Sequence, residues 1–487
     1  MGRVSTNTTS LAYAFEESLG VLPASPSWKR LEPNTPNTFG ANVTTVARSP
    51  ISINRQRRKG TVTDLDSAVE FDADLTLDSV EDFMSSFMFA NFQGVAVFVP
   101  TAVTTGGYTV DAGGDLIENA LIFARGYLND ANNGLKVVGS GSTATNIVTT
   151  GLVNEPTPPA TSNLEVAGVQ GTAGDIEMNS DGNLTSTTLD FTTIGLVVGQ
   201  FIKIGGSTTA TQFANEAANN GFARVRAVAA NLITLDKPSA TFAVDDGAGQ
   251  TIQLLFGRFL RNVAVDDSNY AENSIQFEQT LPGLGPSNET MYSYAKGNYA
   301  NQAVLNVPLT DKATVTFGFV GTDTDPPTQT RATNAATPQA SFKTSALNTS
   351  ADIARLRIAL ADETGLSTAF KSITLTINNN VSPEKVLGQL GALFMNVGQL
   401  EIDIEAQLLF TNAEVINAIR NNETVSLDLG FKNDDGGVYF DVASATLGGG
   451  DREFPVNETV LINTTVQAFG DVDLGYSLAM TVFPYLP

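Results

Sequence analysis

The side chains able to do chemistry in this chain are carboxylates, and two groups of them are ordered. Glu70, Asp72 and Asp74 alternate with Val69, Phe71 and Ala73; Glu401, Asp403 and Glu405 alternate with Ile402, Ile404 and Ala406. Two carboxylates across a cleft can act as acid and base on a glycosidic bond. Acids at every second residue do something else: they share one face of a β-strand and leave the apolar residues on the other. Neither row lies in a motif that singles out one proton donor, and with 51 acidic residues some pairs fall close by accident. The chain has no Cys and no His. Thiol nucleophiles, disulfides, the usual zinc ligands and the commonest general base are therefore excluded. The acidic turns Asp266-Asp267 and Asp323-Thr324-Asp325 lack the spacing of an EF-hand calcium loop, and no Gly-rich phosphate loop leads into a helix. We expect no catalytic residue, no metal site and no cofactor. The densest cationic run is Arg55, Arg57, Arg58 and Lys59, in a chain of net charge −24. That charge argues against nucleic-acid binding through phosphate neutralisation. An intersubunit contact and a solvated loop both remain open for the run.

What must position the acidic rows is one unit used twice. Aligning Asp78 with Thr411 places Val69 on Ile402, Phe71 on Ile404, Ala73 on Ala406, Leu75 on Leu408 and Leu77 on Phe410. Each strand leads into a helix. Asp78 with Glu81, and Thr411 with Glu414, read as capping boxes. Phe83, Met84, Phe87 and Met88 in the first helix, and Ala413, Ile416, Ala418 and Ile419 in the second, can cover the apolar strand face. The acidic face is left bare. We expect an internal duplication.

Apolar residues make up 42% and charged residues 16% of the 487, with 43 Gly, a globular composition. Abundant Thr, Val, Asn and Gly with little helical periodicity make the fold mainly β. The expected organisation is a first module at 1–94 and 258–325, interrupted by inserted small β modules at 95–257 (about 95–155 and 165–257). A polar linker at 326–365 and a second module at 366–487 follow. The insert has its own repeat: Ala131-Asn132-Asn133-Gly134 recurs as Ala218-Asn219-Asn220-Gly221, each between two short apolar strands, and each Asn-Gly reads as a hairpin turn. A further hairpin turn is expected at 434–437. Residues 1–38 read as irregular, with Trp28 either pinning an extended arm to the body or carried on an arm that reaches a neighbouring subunit. No run of 18 apolar residues is present, so no membrane-spanning helix is expected.

A sheet with one face covered by its own helix and the other acidic suits the wall of an aqueous passage. Two such units, joined edge to edge around an axis, would close a barrel and remove the open strand edges. In this the sequence resembles the major tail tube proteins of long-tailed, siphovirus-type bacteriophages. The run 16–28, with Glu16-Glu17, Gly20, Pro23, Pro26 and Trp28, is similar to that family's N-terminal pattern. So are the basic loop feeding an acidic strand and a helix, and the C-terminal order of the strand at 373–380, a Gly-containing loop, strand, short helix, strand and hairpin. The insert run 198–203 with its Asn-Asn-Gly turns resembles insertions in larger members.

The resemblance implies two tail-tube-type β-sandwich modules, each with a short packed helix. It implies a virion structural protein of the tail, assembled in the host cytoplasm, whose stacked rings conduct the genome at infection. A chain with two modules implies trimeric, pseudo-hexameric rings with the insert outside and the 55–59 loop against the next ring. Glu70, Asp72, Asp74, Glu401, Asp403 and Glu405 would line the lumen, through which DNA passes without specific binding. Tape measure, terminator and distal tail proteins would be the partners at the ends. Two other readings are another virion or surface-layer structural protein, and a glycan-binding adhesin. The adhesin would need exposed clustered aromatics in the insert, where the chief ones are Tyr108, Tyr127, Phe201, Phe213 and Phe222.

Overall fold

Period-two alternation produces strands at both acidic rows. The structure is a computed structural model that describes residues 4–51, 53, 55–285, 287–332, 344–360, 365–367, 369–411 and 413–487. In chain order the elements of the body are β1 (Thr35–Arg48), β2 (Arg58–Asp74), α1 (Leu77–Met88), β3 (Ile275–Leu281), β4 (Met291–Val307), β5 (Thr314–Gly321), β6 (Phe370–Asn378), β7 (Glu401–Leu409), α2 (Glu414–Asn421), β8 (Thr424–Asn433), β9 (Gly436–Glu453), β10 (Leu461–Ala468) and β11 (Ala479–Phe483). Eight strands form one continuous antiparallel run in the order β1-β2-β5-β4-β6-β7-β10-β9.

The two halves of this run repeat each other. β2 lies between β1 and β5 as β7 lies between β6 and β10. The registers agree too. Phe71 opposes Phe317, which opposes Ala303; Ile404 opposes Val466, which opposes Leu447. β4 and β9 are long enough to serve two layers: their first halves pair with β3 and β8, and their second halves return to the run. The expected duplication is thus present strand by strand.

The apolar strand faces supply the core. Phe71, Phe317 and Phe319 from the run meet Phe277 from β3 and Phe83 from α1, with ring centroids 4.9–6.2 Å apart. Each such buried ring contributes about 1.5–3 kcal/mol. α2 is short and would be marginal alone; Val415 and Ala418 bury its inner side. Asn422 ends it in the left-handed conformation, which Asn tolerates.

Both helices start differently from expectation. α1 is capped by Thr76 with Ser79 as the reciprocal partner, not by Asp78 and Glu81. Those acids are engaged elsewhere: Asp78 accepts from the N–H and hydroxyl of Thr344, and Glu81 pairs with Arg258 at 2.5 Å. α2 begins after Ala413 with no side-chain cap, and Thr411 stays exposed outside it. The N-terminal segment is more ordered than its prolines suggest. Ser10–Phe15 pairs with β3, because Leu11 to Ala14 are buried on both faces. Trp28 is buried against Ala12, Ala14 and Tyr294 and does pin the arm. Within the expected linker, Ile353–Leu360 is a strand on β8; Arg355 and Arg357 both reach Asp428 across it, which lets a charged stretch sit in a sheet. The 434–437 turn is the hairpin expected, with Asn433 opposite Gly436.

Strands on both sides of the insert lie in one ten-stranded sheet, with two apolar clusters, one around Tyr108, Ile122 and Val166, the other around Phe191, Ile202 and Phe256. The internal repeat is matched in its Asn-to-backbone bonds. Asn132 exchanges two hydrogen bonds with the backbone of Val153, and Asn219 does the same with Ala243. Asn133 brackets the backbone of Tyr127 as Asn220 brackets that of Phe213. Two residues past each clamped backbone, Glu155 and Asp245 accept N–H groups just ahead of the clamping Asn. The Asn-Gly pairs are not the tight hairpin turns expected. Asn133 and Asn220 have φ of −95° and −86°, whereas that turn needs positive φ at both residues. The Asn side chains hold a 3-10 turn instead.

Candidate functional site

The acidic rows are brought together on one surface. In the eight-stranded run, the apolar face is covered by α1, α2 and the second layer, and the opposite face carries Glu70, Asp72 and Asp74 on β2 and Glu401, Asp403 and Glu405 on β7. Between and beside them the same face shows Thr314, Thr316, Asn306, Thr374, Thr376, Asn463 and Thr465. The segments 35–40, 68–74, 302–306, 314–318, 372–378, 401–407, 446–451 and 463–467 contain no Lys or Arg. The result is a polar, negatively charged wall.

The two rows differ in local support. On β2 the acids are half-exposed, because neighbours reach them: Thr316 donates to Asp72 at 2.6 Å, Asn37 to Glu70 at 3.3 Å, and Lys312 pairs with Asp74 at 2.7 Å. Burial pushes the Asp74 carboxyl up, but bonds from Lys312 and Asn34 outweigh it and hold the group below its ordinary range. On β7 Glu401, Asp403 and Glu405 are exposed. At the rim beside them, Glu453 accepts from Gln407 at 3.3 Å and Asn463 at 2.7 Å.

The basic residues sit at the tip of a projecting hairpin. β5 stops pairing with β2 at Ser67, while β1 and β2 continue together to Arg48 and Arg58. About nine residues at ~3.3 Å per residue carry the tip roughly 30 Å past the third strand. Arg55, Arg57, Arg58 and Lys59 are all exposed there. Lys385, from the β6–β7 connection, grips the base of the hairpin through Asp64 and Asp66 at 2.6 and 2.5 Å.

Sequence reading found the acids and missed the Thr and Asn rows that complete the wall. Their signal was available in the alternation of Thr314/Thr316 and Thr374/Thr376 with apolar residues. In the acidic turns Asp267 accepts from the N–H of Asn269 and Asp323 from that of Thr324, while Asp325 pairs with the Lys296 side chain. The five insert aromatics are all buried, Phe222 the most exposed at 8%, so they offer no glycan platform. Among the described residues no helix is long and apolar enough to cross a membrane.

No curated protein matches the chain. A family profile described as phage tail tube protein matches residues 6–468, which takes in both acidic rows, both helices, the insert and every strand of the run. The chain belongs to the phage tail tube proteins, structural components of the virion tail.

Proposed function

We propose that three copies of this chain form a pseudo-hexameric ring, and that stacked rings make a hollow tube through which the genome passes into the host. The observation that carries this reading is the continuous eight-stranded sheet built from two repeats, acidic on one face and helix-covered on the other. Three copies supply about 24 strands; at ~4.8 Å spacing these make a wall roughly 37 Å across before strand tilt widens it. With the acidic rows inward, the wall repels phosphates and DNA slides without being held. The side chains of the wall are given no catalytic part.

The hairpin tip with Arg55, Arg57, Arg58 and Lys59 contacts the next ring. Charge complementarity supports this. The opposite end of the sheet carries Asp74, Asp311, Asp451, Glu453 and Glu458 against Lys312, Lys371 and Arg452, with Asp74 and Glu458 paired to the two lysines, so a basic tip meets a rim of net negative charge when rings stack head to tail. The insert lies on the outside, docked on the helix side of the second repeat through Phe201 and Phe222 against Tyr439. Tape measure, terminator and distal tail proteins meet the ends. Electron microscopy of the purified protein tests the reading: hollow tubes of stacked rings are expected, and sheets or persistent monomers would overturn it.

A further inference from the structure

Each half of the sheet presents the same docking edge, and within the chain one of the two is used. On β4, β3 holds one edge along 291–298 and β6 takes that same edge from Gln302 to Val307. On β9, β8 holds the corresponding edge along 436–446, and among the described residues no strand pairs with it from Leu447 to Glu453. At the far end of the run, among the described residues, β1 pairs with β2 alone. The two free edges lie seven strand spacings apart, about 34 Å, so they cannot meet within one copy.

β1 carries the features that β6 uses. Thr374, Thr376 and Ile377 of β6 oppose Glu405, Asp403 and Ile402 of β7. Thr35, Thr38 and Phe39 of β1 oppose Asp72, Glu70 and Val69 of β2, the equivalent residues, with Asn37 as one extra residue at a bulge. On β4 the residues that receive Thr374, Thr376 and Ile377 are Asn306, Val304 and Ala303. Counted through β5 and β10, their equivalents on β9 are Asp451, Gly448 and Leu447.

We propose that β1 of one copy adds antiparallel to the free half of β9 in a second copy, in the register Thr35 opposite Asp451, Thr38 opposite Gly448 and Phe39 opposite Leu447. The joint repeats the junction already made between β4 and β6. There the Thr374 hydroxyl donates to Asn306 Oδ1 at 3.0 Å; at the joint the Thr35 hydroxyl donates to the Asp451 carboxylate. Phe39, half-buried at the sheet edge, is covered by Leu447. Both edges are unlike a general sticky strand: Pro36 and the bulge between Gly449 and Asp451 protect against random partners and leave a shape that fits its own complement. The proposal rests on the ring reading and adds the register.

The absence of Cys in the chain makes cross-linking clean, and directly opposed cross-strand residues have Cβ atoms ~4.5–5.5 Å apart. The Thr35→Cys/Asp451→Cys double variant is assembled, oxidised mildly and run without reductant. Most of the monomer band should convert to dimer and trimer, while Thr35→Cys/Glu453→Cys, two residues out of register, stays monomeric. Should the double variant not assemble, a mixture of the two single variants, each keeping one native edge, must give disulfide-linked dimers. Rings that assemble yet stay monomeric on oxidation, or that link through the off-register pair instead, overturn the register and leave the ring standing. A wild-type chain that forms no ring overturns both.

Discussion

Removing Asp441 should loosen the insert from the body. Asp441 lies on β9 in the half that pairs with β8 and β11, and its Oδ2 meets Arg224 Nη1 of the insert at 2.9 Å. The side chains are 3% and 4% exposed. Tyr476 donates to the same carboxylate at 2.7 Å. Arg224 also grips Asp236 at 2.9 and 2.7 Å. Breaking a buried ion pair from one side costs about 3–5 kcal/mol, because the other charge is stranded. Two features move the expectation to the lower end. Asp236 still faces the guanidinium, and Asp441 Oδ1 has no partner in the native state. Asp441→Leu is therefore expected to cost about 3 kcal/mol. Arg224→Met combined with Asp441→Leu should cost well under the sum of the single changes, since a buried pair replaced by apolar groups is often close to neutral. Urea unfolding of the unassembled chain, followed by circular dichroism, measures the four corners of this cycle. A single-variant cost under about 1 kcal/mol, or strict additivity, would refute the argument that this pair clamps the insert.

Two further expectations follow from the charge arrangement. Asp175 is raised by burial, but bonds from Ser186, Thr188 and Thr187 outweigh this and hold its carboxyl below the ordinary range. A folded pKa below the unfolded one gives stability that is full above the unfolded value of ~3.9 and is lost as pH falls through the lowered native value. Urea midpoints taken from pH 5 downward should fall more steeply for wild type than for Asp175→Asn, and parallel curves would count against the assignment. Replacing Glu401, Asp403 and Glu405 by Lys should leave assembly intact, since exposed positions cost little each. The resulting tubes should retain DNA at low salt and release it as salt rises; tubes that hold no more DNA than wild type would show that these residues do not face the passage.

The parts of the fold legible in the sequence are those where a charge could go one way only. Acids cannot be buried unpaired, so alternation with Val, Phe and Ile fixed the faces of β2 and β7 and exposed the duplication. Helix existence was legible for the same reason, but the starts were not. Several acids and hydroxyls near each start compete for the cap, and tertiary partners decided: Thr344 drew Asp78 away, Arg258 drew Glu81, and Thr76 capped α1. Ile353–Leu360 was hidden because two arginines in eight residues read as surface; Asp428, far along the chain and 1% exposed, is what pairs them. The Asn pairs of the insert were visible as a repeat, yet their role was misassigned, since a side-chain clamp on a distant backbone leaves no local signal. The wall itself needed the registers of all eight strands, which no single stretch contains.

In the tube as proposed, the acidic rows face a lumen enclosed by three copies. A reconstruction of the assembled tube in cross-section tests it most directly. Three chains per ring are expected, with Glu70, Asp72, Asp74, Glu401, Asp403 and Glu405 on the inner wall and α1 and α2 behind it. A wall whose inner surface is formed by the helices or by the insert, with the acidic rows turned outward, would contradict it.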